Sequence, residues 1–336
     1  MFNLFKTKIY ENSPPETIKV NEVNKIILSR VEGKQKKTKK IFYAPSNFSE
    51  YIGQKRIKNI LSTYIRNVKE RDLPFPHTLI YGKAGMGKTT LAKIMAKMLG
   101  RDMVEVISSS LPKDEHVLQE TVRKLNGKIL FIDEVHSLPR SEVETIYTMM
   151  ESFEFEGSPI SPFTLIGATT EIGEIIKNRK PFYDRFKLPL ELEDYTINNL
   201  ITITKQYKKG LFEDDEITNE NYKIIAENCR NTPRIAIRLV ESTVYYDNDI
   251  KEVLKNFGII HKGYNQKDLK LLDYLSENKI VGLQGIASFL DTSKENYLYS
   301  IEPYLIKEGI IVRLPNGRKI TEIGKKLLLK LKENAK

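Results

Sequence analysis

Cysteine is almost absent from this chain: Cys229 is the single thiol in 336 residues. One thiol excludes an intramolecular disulfide framework and fits a reducing compartment, so a cytoplasmic protein is expected. Histidine is sparse as well. His77, His116, His136 and His261 are scattered with no Cys/His cluster, which excludes a structural zinc site of the usual spacing. No apolar run approaches the roughly 20 residues that cross a bilayer. The opening Met1-Phe2-Asn3-Leu4-Phe5-Lys6 lacks the long apolar segment of a signal peptide. A membrane partner is therefore not expected. Acidic residues are the minority charge, 44 against 54 basic ones, leaving a net charge of +10. That excess suits a polyanionic partner and equally suits a merely lysine-rich composition, so what carries the charge must decide. With 40% hydrophobic and 29% charged residues, the chain is of ordinary globular composition and long enough for two or three domains.

Against these absences stand two motifs. Gly82-Lys83-Ala84-Gly85-Met86-Gly87-Lys88-Thr89 fits the phosphate-loop pattern G-x-x-x-x-G-K-[ST]. Its glycines (Gly82, Gly85, Gly87) let successive backbone N–H groups turn toward phosphates. Lys88 would neutralise β/γ oxygens, and Thr89 would offer its hydroxyl to Mg²⁺. The loop follows the apolar run Thr78-Leu79-Ile80-Tyr81 and opens a helical pattern from Lys88 to Leu99, which sets the phosphates of ATP on a helix N-terminus. Farther on, Lys128-Ile129-Leu130-Phe131-Ile132-Asp133-Glu134 reads as a strand buried on both faces with carboxylates at its carboxyl end. Asp133 would hold Mg²⁺ through water and Glu134 would polarise the attacking water. Either motif alone could be a chance glycine-rich turn or a solvated strand end. Together, in this order, they indicate a nucleoside triphosphate and a metal.

The chain divides by pattern. Residues 1–40 form an extension that holds Ser13-Pro14-Pro15 and ends in the basic run Gly33-Lys34-Gln35-Lys36-Lys37-Thr38-Lys39-Lys40, a solvated linker with phosphate contact as a secondary role. In residues 41–193, Ile57, Ile60, Leu61, Tyr64, Ile65 and Val68 follow helical spacing. Strands are expected at Thr78–Gly82, Met103–Ile107, Ile129–Asp133, Phe163–Thr169 and Leu188–Leu192. Their alternation with helical runs predicts an α/β fold with a parallel sheet. Residues 194–262 read as an all-α lid with no strands. Residues 263–336 read as three helical stretches, an extended run Ile310–Leu314, a turn at Pro315-Asn316-Gly317-Arg318 and a second run Lys319–Thr321. Asn-Gly between extended runs signals a hairpin, and helices followed by a basic hairpin suggest a winged helix. Arg313, Arg318 and Lys319 are its candidate DNA contacts, although winged helices also bind proteins.

These segments in this order resemble the RuvB-type AAA+ motor of Holliday-junction branch migration. Glu50-Tyr51-Ile52-Gly53-Gln54 resembles the family's adenine-pocket segment, bringing Tyr51 and Ile52 to the nucleotide, and Thr90 follows Thr89 in its loop. Phe131–His136 resembles its Walker B, and Phe163–Thr170 its sensor 1 strand. Asp184-Arg185-Phe186 is similar to the arginine-finger segment. Thr232-Pro233-Arg234-Ile235-Ala236 with Arg238 is similar to sensor 2, and Glu302-Pro303-Tyr304-Leu305-Ile306 with Arg313–Arg318 to the winged helix. The resemblance implies that Thr170 bonds the γ-phosphate or attacking water, and that Arg234 reaches the γ-phosphate from the lid. It implies that Arg185 enters a neighbouring subunit's site, within a hexameric ring on duplex or branched DNA. His136 is left as a packing residue or one that supports a site residue from behind.

Departures accompany the likeness. Lys83-Ala84 stands where the family has Pro-Pro, Ala44 where it has arginine, and Tyr183 where the finger segment has its first arginine. Between Met150 and Phe163 only Ser152–Pro162 remains of the longer hairpin that docks the junction-binding partner RuvA. Two prolines in so short a segment predict no paired strands there and make a RuvA-like partner doubtful. Two other readings stay open: a clamp-loader-like switch that remodels a protein ring, and a winged-helix scaffold with a slow ATPase latch.

Overall fold

The structure is a computed structural model that describes residues 43–108, 117–155, 157–212 and 216–334. The extension 1–40 with its basic run, and His116, lie outside the described residues.

Five parallel strands form the central sheet: β1 (Thr78–Tyr81), β2 (Met103–Ile107), β3 (Ile129–Asp133), β6 (Thr164–Thr169) and β7 (Leu188–Glu191), in the order β2-β3-β6-β1-β7. All five fall on the expected runs, shorter by a residue at some ends. Parallel strands need crossover helices, which cover both faces, so Ile129, Leu130, Phe131 and Ile132 are fully buried. Successive side chains point to opposite faces. Ile80, Phe131 and Ile166 enter one core, whereas their neighbours Leu79, Leu130 and Leu165 enter the other.

The first core is closed by α1 (Lys55–Arg71) and α2 (Lys88–Leu99). Ile57, Leu61, Ile65 and Val68 are the buried stripe of α1, while Tyr64, placed by its spacing on that stripe, is 41% exposed. After α3 (Val117–Arg123), the second core takes Val143, Ile146 and Met149 from α4 (Arg140–Ser152), then Ile175 from α5 (Ile172–Asn178) and Phe182 from α6 (Lys180–Tyr183).

One expectation fails between α4 and β6. Glu154–Phe155 (β4) and Ser158–Pro159 (β5) do pair, antiparallel, with register Glu154↔Pro159 and Phe155↔Ser158. Proline is tolerated because the ladder is an isolated two-residue edge, and the Ile160 N–H supplies a closing bond to the Phe153 carbonyl at 2.8 Å. Gly157 turns the chain at φ +74°. The hairpin is shortened but present.

Four helices follow the sheet: α7 (Ile197–Leu211), α8 (Asn219–Asn228), α9 (Pro233–Tyr245) and α10 (Ile250–Asn256). The Thr196, Thr218 and Asp249 side chains accept bonds from free N–H groups at their starts, and Pro233 opens α9 where a missing N–H is harmless. Leu200, Ile225, Ala236 and Leu239 join the first core, so these helices continue the packing of the sheet.

Strands do not stop there, contrary to the sequence pattern. Ile259–His261 (β8) pairs with Tyr264–Asn265 (β9) around Lys262 and Gly263, both at positive φ. Three residues of ladder are too few to produce a visible alternation.

The last region contains α11 (Gln266–Glu277), α12 (Leu283–Phe289), and a helix running from α13 (Lys294–Asn296) through a π turn at Tyr297–Ile301 to α14 (Glu302–Lys307). Pro303, which lacks an N–H, sits just after the widened turn. The hairpin β10 (Ile311–Leu314) with β11 (Gly317–Ile320) and a closing α15 (Glu322–Asn334) complete a winged helix. Leu314 pairs with Gly317, so Pro315-Asn316 are the central turn residues rather than Asn-Gly. Gly317 is required for another reason. A Cβ there would lie 2.4 Å from the Val281 carbonyl oxygen, because the Val281 backbone crosses and exchanges bonds of 3.0 and 2.8 Å with Arg318.

Candidate active site

The register of the sheet brings the site together. Tyr81 aligns with Thr169 and Ile132 with Gly167, so the phosphate loop, Asp133-Glu134 and Thr170 emerge at one carboxyl edge. They border a cavity of about 410 Å³ lined by Gly85, Gly87, Lys88, Thr89, Thr90, Asp133, Glu134 and, from the lid, Pro233 and Arg234.

Gly85 and Gly87 hold φ of +76° and +94°. A Cβ on Gly85 would meet Arg234 Cβ and Thr232 Cγ2 at 2.9 Å, so only glycine lets the lid close this near the loop. A Cβ on Gly87 would meet the Tyr51 hydroxyl at 3.1 Å. Lys88 is 6% exposed, and its ammonium donates to the Gly82 and Lys83 carbonyls at 2.9 and 3.2 Å. Burial lowers its pKa, with the Glu134 and Asp133 charges opposing that shift. A buried cation held by neutral oxygens suits an anionic ligand.

The Thr89 hydroxyl lies 3.4 Å from Asp133 Oδ2, and the Ser108 hydroxyl anchors the Asp133 carbonyl at 2.8 Å. One hydroxyl beside one carboxylate, without any cluster of three His, Cys, Asp or Glu among the described residues, is the sparse oxygen set that suits Mg²⁺ completed by water and phosphate.

Glu134 sits at φ +48°, where Asp133-Glu134 leaves the strand and the Ser137 N–H bonds back to the Glu134 carbonyl. Its Oε2 accepts from the Thr170 N–H at 3.0 Å and the Thr170 hydroxyl at 2.9 Å, with His136 Nδ1 at 3.3 Å. Burial pushes its pKa up, but the His136 and Thr170 bonds and the Lys88 charge outweigh it and hold the carboxyl at about 2. Glu134 is thus ionised throughout the neutral range. Thr170, expected on the γ-phosphate or water, here holds this carboxylate. His136, expected either to pack or to support a site residue from behind, does the latter for Glu134 and also touches Thr169 Oγ1 at 2.9 Å and Glu171 at 3.5 Å.

Tyr51 and Ile52 line an adjoining apolar cavity of about 90 Å³ with Met86, Tyr195, Ile203 and Ile237, suited to a planar base. Tyr51 donates to the Gly87 carbonyl at 3.2 Å and Tyr195 to the Met86 carbonyl at 3.0 Å. Tyr43, Tyr207 and Ile237 border both cavities and were missed in the sequence. They arrive from separate segments, as ordinary apolar positions with no shared spacing to mark them.

Arg185 is not in this cavity. It pairs with Glu151, lies 5.7 Å over the Tyr147 ring, and borders a different depression with His77, Phe153 and Lys187. Its Nε is buried with no hydrogen-bond partner among the described residues. On the wing, Arg318 departs from its expected place at a DNA surface. It is 9% exposed and donates to fully buried Glu302 at 2.6 Å, because a buried carboxylate needs a buried cation. Arg313 also pairs with Glu302 from an exposed position, and Lys319 is exposed.

Known proteins share this fold. The family model described as "Holliday junction DNA helicase RuvB P-loop domain" matches residues 43–192, and the "RuvB C-terminal winged helix domain" matches residues 261–329. The Holliday junction branch migration complex subunit RuvB of Phytoplasma mali is 37% identical over 336 aligned residues, covering 92% of this chain and 98% of that protein. Its counterpart in Mycoplasmopsis pulmonis is 33% identical, covering 83% of this chain and 95% of that one. The solved RuvB branch-migration motor of Thermotoga maritima superposes with a TM-score of 0.75 at 33% identity, covering 85% of this chain and 97% of the other. With both family models matched in order and relatives 33% and 37% identical over 83% and 92% of its length, the chain belongs to the RuvB family.

Proposed function

We propose that the chain is an ATP-driven motor that translocates duplex DNA and migrates Holliday junctions. The carrying observation is the convergence of Lys88, Thr89, Asp133 and ionised Glu134 with the lid residue Arg234 on one cavity. Residues 41–193 serve as the ATPase domain, 194–262 as the lid and 263–336 as the DNA-binding domain. Tyr51 and Ile52 seat the base. Gly82, Gly85, Gly87, Lys88, Thr89 and Thr90 hold the phosphates, and Thr89 with Asp133 holds Mg²⁺, which when bound neutralises charge on the phosphate oxygens. Glu134, ionised, accepts hydrogen bonding from the attacking water once Thr170 yields its oxygen. Arg234 ties lid position to the terminal phosphate.

Arg185 acts in a neighbouring copy's site, which requires assembly in a ring, hexameric by family likeness. Its placement away from its own nucleotide cavity supports this reading. Arg313 and Lys319 contact phosphates of DNA, while Arg318 braces the wing behind them. A RuvA-like partner would meet only the two-pair hairpin β4–β5, where Phe155 is covered by Arg123 at 4.3 Å.

The test is steady-state ATP hydrolysis with no DNA, with linear duplex and with a four-way junction, using Glu134→Gln as the blank. Stimulation by DNA, strongest with the junction, is expected. Hydrolysis indifferent to every DNA would overturn the DNA-motor reading and favour a protein substrate.

A further inference from the structure

A second cavity of about 410 Å³ lies behind the phosphate loop, where loop, lid and winged helix meet. Its wall carries Lys83, Arg230, Arg234 and Arg238 and, among the described residues, no acidic one. Two of these cations have partners elsewhere. Lys83 donates to Asp194 at 3.3 Å, and Arg230 pairs with Asp268. Arg234 and Arg238 have no ion pair or side-chain hydrogen bond among the described residues; Arg238 has only the Phe257 ring, 5.3 Å away.

The Arg234 and Arg238 side chains are both exposed to water, so their closeness costs little by itself, but it gathers positive charge on one wall and favours an anion there. Arg234 and Arg238 stand four apart on α9 and are neighbours of like charge on its surface. Arg234 also lies in the first turn, where the positive end of the helix repels a cation. Nucleotide binding accounts for Arg234. It does not account for Arg238: the sensor 2 resemblance includes that residue, but Arg238 lines the second cavity and not the first.

The two cavities share Ala84 and Arg234, so Arg234 borders both. We propose that the second cavity binds a small phosphate-bearing anion, free phosphate or pyrophosphate, between Arg234 and Arg238. An anion there draws Arg234 away from the nucleotide and slows turnover without displacing ATP. Phosphate cleaved in the first cavity is the nearest source. A duplex cannot enter a space of this size. The inference rests on the nucleotide-site assignment but not on DNA translocation.

The test uses the full chain and titrates pyrophosphate against ATP hydrolysis. Binding at the phosphate loop raises KM only, whereas binding at the second cavity lowers kcat at saturating ATP. The kcat effect is expected in the wild type, about tenfold weaker in Arg238→Gln, and restored in part by Arg238→Lys. An unchanged KM for ATP in Arg238→Gln shows that the fold and first site are intact. Direct dialysis of pyrophosphate against protein saturated with a slowly hydrolysed ATP analogue should find one further equivalent, lost in Arg238→Gln. Purely competitive inhibition, or a kcat effect indifferent to Arg238, overturns the proposal. So does an Arg238-dependent effect produced by duplex DNA but not by pyrophosphate, or loss of assembly in Arg238→Gln with its phosphate sensitivity unchanged. If Lys88→Ala still binds ATP, the nucleotide-site assignment itself has failed.

Discussion

At the scale of single residues, the site is defined by what each side chain is paired with. Glu134 is held ionised by His136 and Thr170, so its carboxylate carries its charge before any ligand arrives. Glu134→Gln keeps the size and loses the charge. It should leave nucleotide affinity within about twofold and lower kcat by on the order of 10²-fold or more; normal turnover would show that another group activates the water. His77 is a different case, structural rather than catalytic. It is 7% exposed, accepts the Leu165 N–H at 2.9 Å on Nδ1 and contacts the Met150 carbonyl at 3.2 Å through Nε2, which fixes the neutral tautomer. Burial lowers its pKa to about 4. Between pH 6.5 and 4 the unfolded chain therefore takes a proton that the folded chain refuses, and stability falls with falling pH. The window corresponds to on the order of 3 kcal/mol. His77→Gln should flatten that part of a denaturation-versus-pH curve; an unchanged slope would assign the acid sensitivity elsewhere.

At the scale of elements, packing decides features that sequence pattern does not announce. Gly210 lies within α7, where alanine would ordinarily favour the helix by about 1 kcal/mol. A Cβ there would meet the Tyr43 ring at 2.4 Å, and Tyr43 lines both nucleotide cavities. Gly210→Ala should thus raise the KM for ATP several-fold while kcat changes little, and a KM at the wild-type value would mean Tyr43 adds nothing to binding. The same contrast explains what was legible. Strands β1, β3 and β6 announced themselves as apolar runs because both faces are buried, and the phosphate loop because glycine is needed at positive φ. The β4–β5 and β8–β9 ladders have two or three residues a side, too short for any period. Tyr43 and Tyr207, which border both cavities, converge from distant segments, and Arg318 looked like surface charge because its partner Glu302 lies sixteen residues earlier, inside a helix. Glu302→Gln would leave Arg318 buried without its counter-charge, a loss of about 3 kcal/mol. Its expected readout is a lowered melting transition of the winged helix together with weakened duplex binding. Weakened DNA binding at unchanged stability would instead place Glu302 at the DNA surface.

At the scale of the whole molecule, the separation of Arg185 from Lys88 is the fact with the widest consequence. On the proposed function, a cavity that holds Lys88, Glu134 and Arg234 but not Arg185 binds the nucleotide and lacks one cation for the transition state. Arg185 meanwhile presents a guanidinium 29% exposed, tethered to Glu151, with one buried nitrogen unpaired. A finger supplied from outside can accelerate phosphoryl transfer by about 10³–10⁵-fold. Arg185→Ala should accordingly bind ATP normally and hydrolyse it poorly, and Lys88→Ala should not bind at all. Each inactive protein keeps what the other lacks. Mixed in equal amounts and allowed to exchange subunits, they should form interfaces in which an intact loop faces an intact finger, and ATP hydrolysis should recover to a substantial fraction of the wild-type rate. Recovery requires that the finger act between copies, since no single chain in the mixture carries both groups. If the mixture stays as inactive as its parts while light scattering shows mixed assemblies, Arg185 does not act across the interface, and its pairing with Glu151 is a structural bond rather than a finger at rest.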